Sequence, residues 1–372
     1  MSSVPQSSQG KLVVLITGAT GYVGGSVLYR LLSLTDAQSR YELRTVVRNA
    51  EKAEKLREFG VKIIIGSHSD VDLMARESKE ADVILTAVAY CDDINVVEGI
   101  TKGMKMRYEV TGTQPILIHS SGAGVISDSA LGEYTSDTVF DDANLAQLES
   151  IPHDAPHRPV DVKVISADEE GYAKTYIVAA GIIYDMARHP LVIAGISNPR
   201  SITFRILVPT AIKRANGIAV GKGENIWLHV SVDEVVDFYE LLFKSVLDQS
   251  RPKEVPHGKE GYFFLGAEEI KTYRYHHDVS RILYDLGKAE RAQPTQFTLE
   301  EAEKYFGPQE RKSRPHYDGC QYTIYMHQRK KVGLESKEDH GRLLGVLAGG
   351  GSVLGQGGRK SMRRTPPGGP KP

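Results

Sequence analysis

The residues with the strongest chemical implication stand near the start of the chain, in Ile16-Thr17-Gly18-Ala19-Thr20-Gly21-Tyr22-Val23-Gly24-Gly25. Glycines 18, 21 and 24 follow the apolar run Leu12 to Thr17. They precede a stretch that puts Val23, Val27, Leu28, Leu31 and Leu32 on one helical side. Bare α-carbons at a strand-to-helix turn let the main chain come close to a diphosphate and take angles that side chains disfavour. The helix start then offers unpaired N–H groups and a partial positive charge to the same phosphates. Gly24 allows helix and strand to pack closely. The pattern points to a bound dinucleotide. An acid near the end of the second strand would hold its ribose hydroxyls, but here that place holds Val46-Val47-Arg48-Asn49. Arg48 can pair with a 2′-phosphate. NADP(H) is therefore favoured over NAD(H), with NAD as the alternative.

Such a turn needs a buried strand before it and a sheet around it. Leu12 to Thr17, Leu43 to Val47, Val61 to Ile65, Ala81 to Ala89, Pro115 to His119 and Thr175 to Ile183 read as six strands. Helical stretches fall between them, at 50–59 and 93–108 among others. Strand–helix alternation implies an α/β fold, a doubly wound parallel sheet with helices on both faces. The segment 186–275 has a different texture, with Pro190, Pro199, Pro209, Pro252 and Pro256. Its one clear helix is expected to be capped by Asp233, with Val235, Val236, Tyr239, Leu242 and Phe243 on one face. Residues 276–310 read as helical. The expected division is a flexible start at 1–10, a dinucleotide-binding domain at 11–185, and a smaller substrate lobe at 186–345, interleaved with the sheet end. A tail follows at 346–372. Residues 349–372 hold eight glycines, four prolines, five basic residues and no acid, so they cannot bury a core.

Composition narrows the class. Across 372 residues, 41% are hydrophobic and 25% charged, enough for a sizeable core. A net charge of −1 gives no overall field for nucleic acid or acidic membranes, and neither is expected as a partner. Cys91 and Cys320 are the two cysteines. Neither has a nearby His or Cys at ligand spacing, so no disulfide framework and no metal is expected. The N-terminus lacks the charged start and apolar run of a signal peptide, no apolar stretch is long enough to span a bilayer, and the expected location is cytoplasmic.

The motifs TGATGYVGG (17–25), ADVILTAVA (81–89), ILIHSSGAGV (116–125), KTYIVAAGIIYD (174–185) and GKGENIWLHVSVDEVVDFYELL (221–242) occur in an order that resembles the extended and atypical short-chain dehydrogenase/reductases. That superfamily includes the NmrA-like proteins and nucleotide-sugar epimerases, and a fungal-type epimerase/dehydratase-like branch has a similar layout. The resemblance spans about residues 11–245 and implies a Rossmann fold. It implies that Thr20, Gly21, Tyr22 and Val23 touch the pyrophosphate and that Arg48 faces the adenosine ribose. Ala87, Val88 and Ala89 would line the nicotinamide ribose side. Ser120 and Ser121 would stand near the reacting carbon, and Trp227 and His229 at the edge of the substrate cleft. Many relatives dimerise, so a homodimer is implied as well.

One part of the family pattern is missing. Its chemistry uses a serine with a tyrosine and a lysine four residues apart on a helix, the tyrosine acting as general acid and base. No tyrosine lies in 141–165, and Tyr284 with Lys288 falls too late in the chain. A substitute acid could come from His157, Tyr184 or His229; the pair favoured by sequence is Ser121 with Tyr184. The first functional reading is an NAD(P)(H)-dependent oxidoreductase reducing a small aldehyde or ketone. The second is a non-catalytic NADP-sensing protein. A sugar-nucleotide epimerase or dehydratase ranks last, because it needs the missing base.

Overall fold

The computed structural model describes residues 10–87, 91–128, 130–250, 255–298, 300–305 and 323–325. The first half runs β1 (Leu12–Thr17), α1 (Tyr22–Leu32), α2 (Ala37–Arg40), β2 (Tyr41–Val47), α3 (Ala50–Glu58), β3 (Lys62–Ile65), α4 (Val71–Lys79), β4 (Val83–Thr86), α5 (Ile94–Thr111) and β5 (Ile116–Gly122). There follow β6 (Val139–Asp141), α6 (Leu145–Glu149), α7 (Arg158–Glu169), β7 (Lys174–Ala180), β8 (Ile182–Tyr184), α8 (Pro190–Ile193) and α9 (Ile202–Arg214). The remainder is β9 (Ile218–Ala219), β10 (Ile226–Ser231), α10 (Val232–Leu247), β11 (Tyr262–Leu265), β12 (Glu268–Lys271), α11 (Thr272–Asp285), β13 (Thr295–Gln296) and β14 (Thr323–Tyr325).

Seven strands make one sheet in the order β3-β2-β1-β4-β5-β7-β11. Every pairing in it is parallel. This is the doubly wound order, and its direction reverses between β1 and β4, the switch point at which such sheets bind ligands. Alternation along the strands supplies two apolar faces. Leu15, Ile84, Leu117 and Ile177 pack with Met74 of α4, Ile100 and Met104 of α5, and Val160 and Val164 of α7. α1 packs against α10, and α10 in turn sends Phe243 to Tyr41 (ring centroids 5.3 Å) and Phe238 to Phe263 (5.6 Å). No helix among the described residues is long and apolar enough to cross a membrane.

Three expectations are corrected. The single sixth strand at 175–183 is two strands in two sheets: β7 lies in the large sheet, and β8 joins β10 and β12 in a smaller one. Gly181 sits at the break. A Cβ there would lie 2.3 Å from the carbonyl oxygen of Leu228, so the crossing requires a glycine. The cap of α10 is Ser231 rather than Asp233; it forms a capping box with Glu234, and Asp233 lies in the first turn. Residues 276–310 are not one helix. α11 ends at Asp285, β13 pairs with β9, and 300–305 is helical again. The seventh strand of the large sheet, β11, comes from late in the chain, beyond α10. The expected tail at 346–372 lies outside the described residues.

Candidate functional site

The glycine turn lies where β1 ends. Gly18 takes φ +70°, an angle that glycine accepts freely, and its carbonyl accepts from the Gly21 amide at 2.7 Å. A Cβ on Gly24 would lie 2.3 Å from the Gly18 oxygen and 2.6 Å from that of Ala87. Gly24 is therefore what lets α1 close onto the ends of β1 and β4. At the helix opening, Gly21 is the N-cap and contributes no side-chain cap, and the first turn holds no acid. The first amides of α1 carry the positive end of the helix dipole, and no side chain of that first turn supplies an anion to it.

A second segment clamps this turn from the side. The Asn198 amide donates to Thr20 O (3.2 Å) and the Ser197 hydroxyl to Ala19 O (3.1 Å). Ser26 meets His189 at 3.2 Å, and Tyr29 stacks on the same ring. The Tyr22 side chain is tied to the protein itself. It is buried, and its hydroxyl reaches the carbonyl oxygens of Tyr184 (2.7 Å) and Asp185 (2.6 Å), leaving only its main chain for a ligand. Asp185 has φ +71°, and this bond helps to hold that left-handed residue. Tyr22→Phe is expected to cost about 1–2 kcal/mol in urea unfolding, the usual effect of orphaning buried acceptors. NADPH affinity should stay within about threefold, since about 0.7 kcal/mol would cover such a change.

At the end of β2, Arg48 is exposed, and burial together with the nearby Arg48 charge lowers the pKa of His68. Lys52 is spent elsewhere, donating to Ile196 O at 2.7 Å. Ala87 is buried beside Gly24, while Val88 and Ala89 lie outside the described residues. At the end of β5 the Ser120 hydroxyl bonds to the Tyr239 hydroxyl. Ser121 is buried and donates to Asp161 at 3.0 Å; Tyr262 donates to the same carboxylate oxygen at 2.7 Å. Asp161 has no exposed surface. Burial pushes its pKa up to about 6 against the opposing pull of Tyr262, His157, Ser121 and Arg158. His119 Nε2 lies 3.9 Å from Asp161, yet burial, then the charge of His157, lowers its pKa to about 3. The contact therefore joins a carboxyl group to a neutral ring and is not an ion pair.

Beside this network stands His157, the N-cap of α7 with φ +66°. Its Nδ1 is 2.6 Å from Asp92 and 3.5 Å from the Cys91 sulfur. Burial opposes its charge, but the bonds and charges of Asp92 and Cys91 prevail and push its pKa up to about 10. On the other side of the ring is Gly122, where a Cβ would lie 2.6 Å from Nε2.

Tyr184 is not joined to Ser121 by any such network. It lies on β8, outside the large sheet, and lines a cleft of about 630 Å³ with Asp185, Arg188, Arg200, Ser201, Phe204 and Arg205 among others. Burial, then Glu234, Glu268 and Asp185, raises its pKa, so its phenol keeps its proton at neutral pH. None of the three arginines has an ion-pair partner among the described residues. The buried Ser201 hydroxyl also has no hydrogen-bond partner among them. Trp227 and His229 are buried in the small sheet, with His229 Nδ1 on the Trp227 carbonyl and its ring near Tyr275. Sequence reasoning missed Asp161, His119, Tyr239, Tyr262 and the arginine cleft. One signal was available: His157 and Asp161 are four apart at the start of a helix, the spacing of the family's tyrosine and lysine.

Residues 10–106 match the model of the NmrA-like family. An oxidase, ucsJ, from Acremonium sp is 28% identical over 267 residues, covering 68% of this chain and 73% of that protein. Among solved structures, a dTDP-glucose 4,6-dehydratase from Bacillus anthracis in complex with NAD superposes with a TM-score of 0.55 at 14% identity, covering 88% of this chain and 92% of the other. The yeast methylglyoxal/isovaleraldehyde reductase Gre2 complexed with NADPH superposes with a TM-score of 0.52 at 14% identity, covering 87% and 93%. The fold is therefore the one that these two structures share, and the NmrA-like match covers two of the motifs that carried the resemblance.

Proposed function

We propose that this chain, NmrA-like over residues 10–106, is a nicotinamide-dependent oxidoreductase that reduces a small aldehyde or ketone with NADP(H). The observation that carries the reading is the uncapped start of α1 over glycines that a Cβ would block. The residues present fit a dinucleotide. Main-chain groups of Gly18, Thr20, Gly21, Tyr22 and Val23 would hold the diphosphate, and Arg48 the adenosine ribose and its 2′-phosphate. Ala87 to Ala89 and Ser120 would border the nicotinamide. When bound, that coenzyme supplies the hydride. The name of the Acremonium oxidase supports the oxidoreductase class, and the yeast reductase complexed with NADPH supports a nicotinamide coenzyme.

The chain's own residues act on the substrate side. Tyr184 offers a protonated phenol at the cleft and can give a hydrogen bond to a substrate oxygen. Ser121 gives its proton to Asp161, so toward the site its oxygen can only accept. Arg188, Arg200 and Arg205 around one cleft favour a carbonyl compound that also carries a carboxylate or phosphate. Arg200→Ala with Arg205→Ala is expected to raise KM for such a substrate about tenfold or more, roughly 1.4 kcal/mol. The kcat should change little, and a neutral carbonyl should be unaffected; equal effects on both substrates would refute the assignment.

NADPH titration by fluorescence, followed by its consumption across a panel of neutral and acidic carbonyl compounds, tests the whole reading. Turnover that drops in Tyr184→Phe is the expected result. Tight binding with no turnover on any compound would replace the enzyme with a coenzyme sensor. Failure to bind either NADPH or NADH would remove both.

A further inference from the structure

The cluster formed by Cys91, Asp92 and His157 goes beyond that reading, because nothing in it serves the dinucleotide turn or the arginine cleft. Two of its members are neighbours in the loop after β4, and the third arrives from the start of α7, 65 positions later. One ligand atom from each lies within 4.8 Å of the others. The Cys91 sulfur is 3.5 Å from His157 Nδ1, which is about the separation of a thiolate and an imidazole sharing one tetrahedral ion with bonds of about 2.3 and 2.0 Å. The Asp92 oxygen, at 2.6 Å from Nδ1, must retreat by about 0.7 Å to take a third tetrahedral position with bonds of about 2.0 Å, and it belongs to a side chain 55% exposed. His157 is held for this geometry. Its left-handed backbone (φ +66°) puts the ring over Gly122, where only a glycine leaves room.

We propose that Cys91, Asp92 and His157 bind a divalent cation of borderline softness, Zn²⁺ foremost. The donor set decides the class. One sulfur, one imidazole nitrogen and one carboxylate oxygen suit zinc and its neighbours, whereas calcium and magnesium call for oxygen ligands throughout. Charge agrees with this. A thiolate and a carboxylate neutralise a dication, and the mostly buried imidazole then serves as a neutral ligand in place of the proton it now shares with Asp92. With three protein ligands the ion keeps a fourth position open, as in sites where zinc holds water or substrate. The lack of any ligand spacing in sequence is no obstacle, because the fold assembles the set from two distant segments.

The test uses the full chain in a Cys320→Ser background, stripped with a chelator and free of nicotinamide, so that it is independent of coenzyme binding. Co²⁺ is titrated while thiolate-to-cobalt charge-transfer absorption is followed, and Zn²⁺ is then added in competition. One equivalent of Co²⁺ should bind with that absorption, and Zn²⁺ should displace it. The absorption should vanish in Cys91→Ser, and affinity should fall at least tenfold in Asp92→Ala. His157→Asn, which tolerates the left-handed backbone, should do the same. Zn²⁺ should also slow alkylation of Cys91 by iodoacetamide. The proposal is overturned by absence of the thiolate band, by a band that survives Cys91→Ser, by unchanged affinity in Asp92→Ala, or by alkylation indifferent to Zn²⁺.

Discussion

Gly21→Val is expected to weaken NADPH binding by at least a hundredfold, about 2.7 kcal/mol or more, while leaving the protein folded. Gly21 has φ −81° and ψ −178°, an extended conformation that valine adopts readily. The added Cβ would meet one backbone atom closely, the Gly18 oxygen at 2.9 Å, so the turn must shift by a few tenths of an ångström and the variant should lose some stability without losing its fold. The branched methyl groups would then stand at the uncapped opening of α1, where the diphosphate must approach. Gly24 behaves differently. Its added Cβ would meet two backbone carbonyls, at 2.3 and 2.6 Å, and neither can yield without separating α1 from the ends of β1 and β4. Gly24→Val should therefore fail to fold or melt far lower. Fluorescence titration and circular dichroism melting of both variants check this contrast. A folded Gly21→Val that binds NADPH as tightly as the parent would show that the diphosphate is not held at this turn.

The contrast between these glycines also marks how far the sequence could be read. The turn was legible because each requirement is local: an apolar run, three glycines at fixed offsets, then a helical stripe. The other strands of the first half were legible for the same reason. Gly181 was not. TYIVAAGII reads as one apolar run, and only the approach of the Leu228 carbonyl, a contact across 47 positions, divides it between two sheets. The cap of α10 was within reach, because Ser231-x-x-Glu234 is a capping-box pattern, whereas Asp233, two residues on, has the right side chain but no such partner three residues later. The buried network was out of reach for a different reason. Ser121, Asp161 and Tyr262 come from β5, α7 and β11, and no periodicity links them. Likewise Cys91 looked isolated, because its histidine arrives with α7. Tyr184 was named for its proton, yet what gives it chemical surroundings is a cleft of arginines that the sequence shows only as scattered basic residues.

The second large effect concerns Asp161 and pH. Its folded pKa is raised, by burial above all, to about 6 from an ordinary 3.8. The sign follows from proton counting. Below about pH 4 the carboxyl is protonated in both the folded and the unfolded chain, and it costs nothing. Between about 4 and 6 the folded chain holds the proton that the unfolded chain has released, so stability falls as pH rises. Above about 6 the folded protein carries a desolvated carboxylate, and the loss levels off at about 3 kcal/mol, from roughly two pKa units at 1.36 kcal/mol each. Asp161→Asn removes this titration and keeps an oxygen to accept from Ser121 and Tyr262. Its new amide N–H faces His119, whose Nε2 has no hydrogen-bond partner among the described residues and whose ring burial keeps neutral. Urea unfolding at pH 4, 5, 6 and 7 should therefore show the variant gaining on the parent by about 3 kcal/mol across that window. Parallel stability curves would mean that Asp161 titrates as an ordinary carboxylate, and that the hydroxyls of Ser121 and Tyr262, with the charges of His157 and Arg158, fully offset its burial.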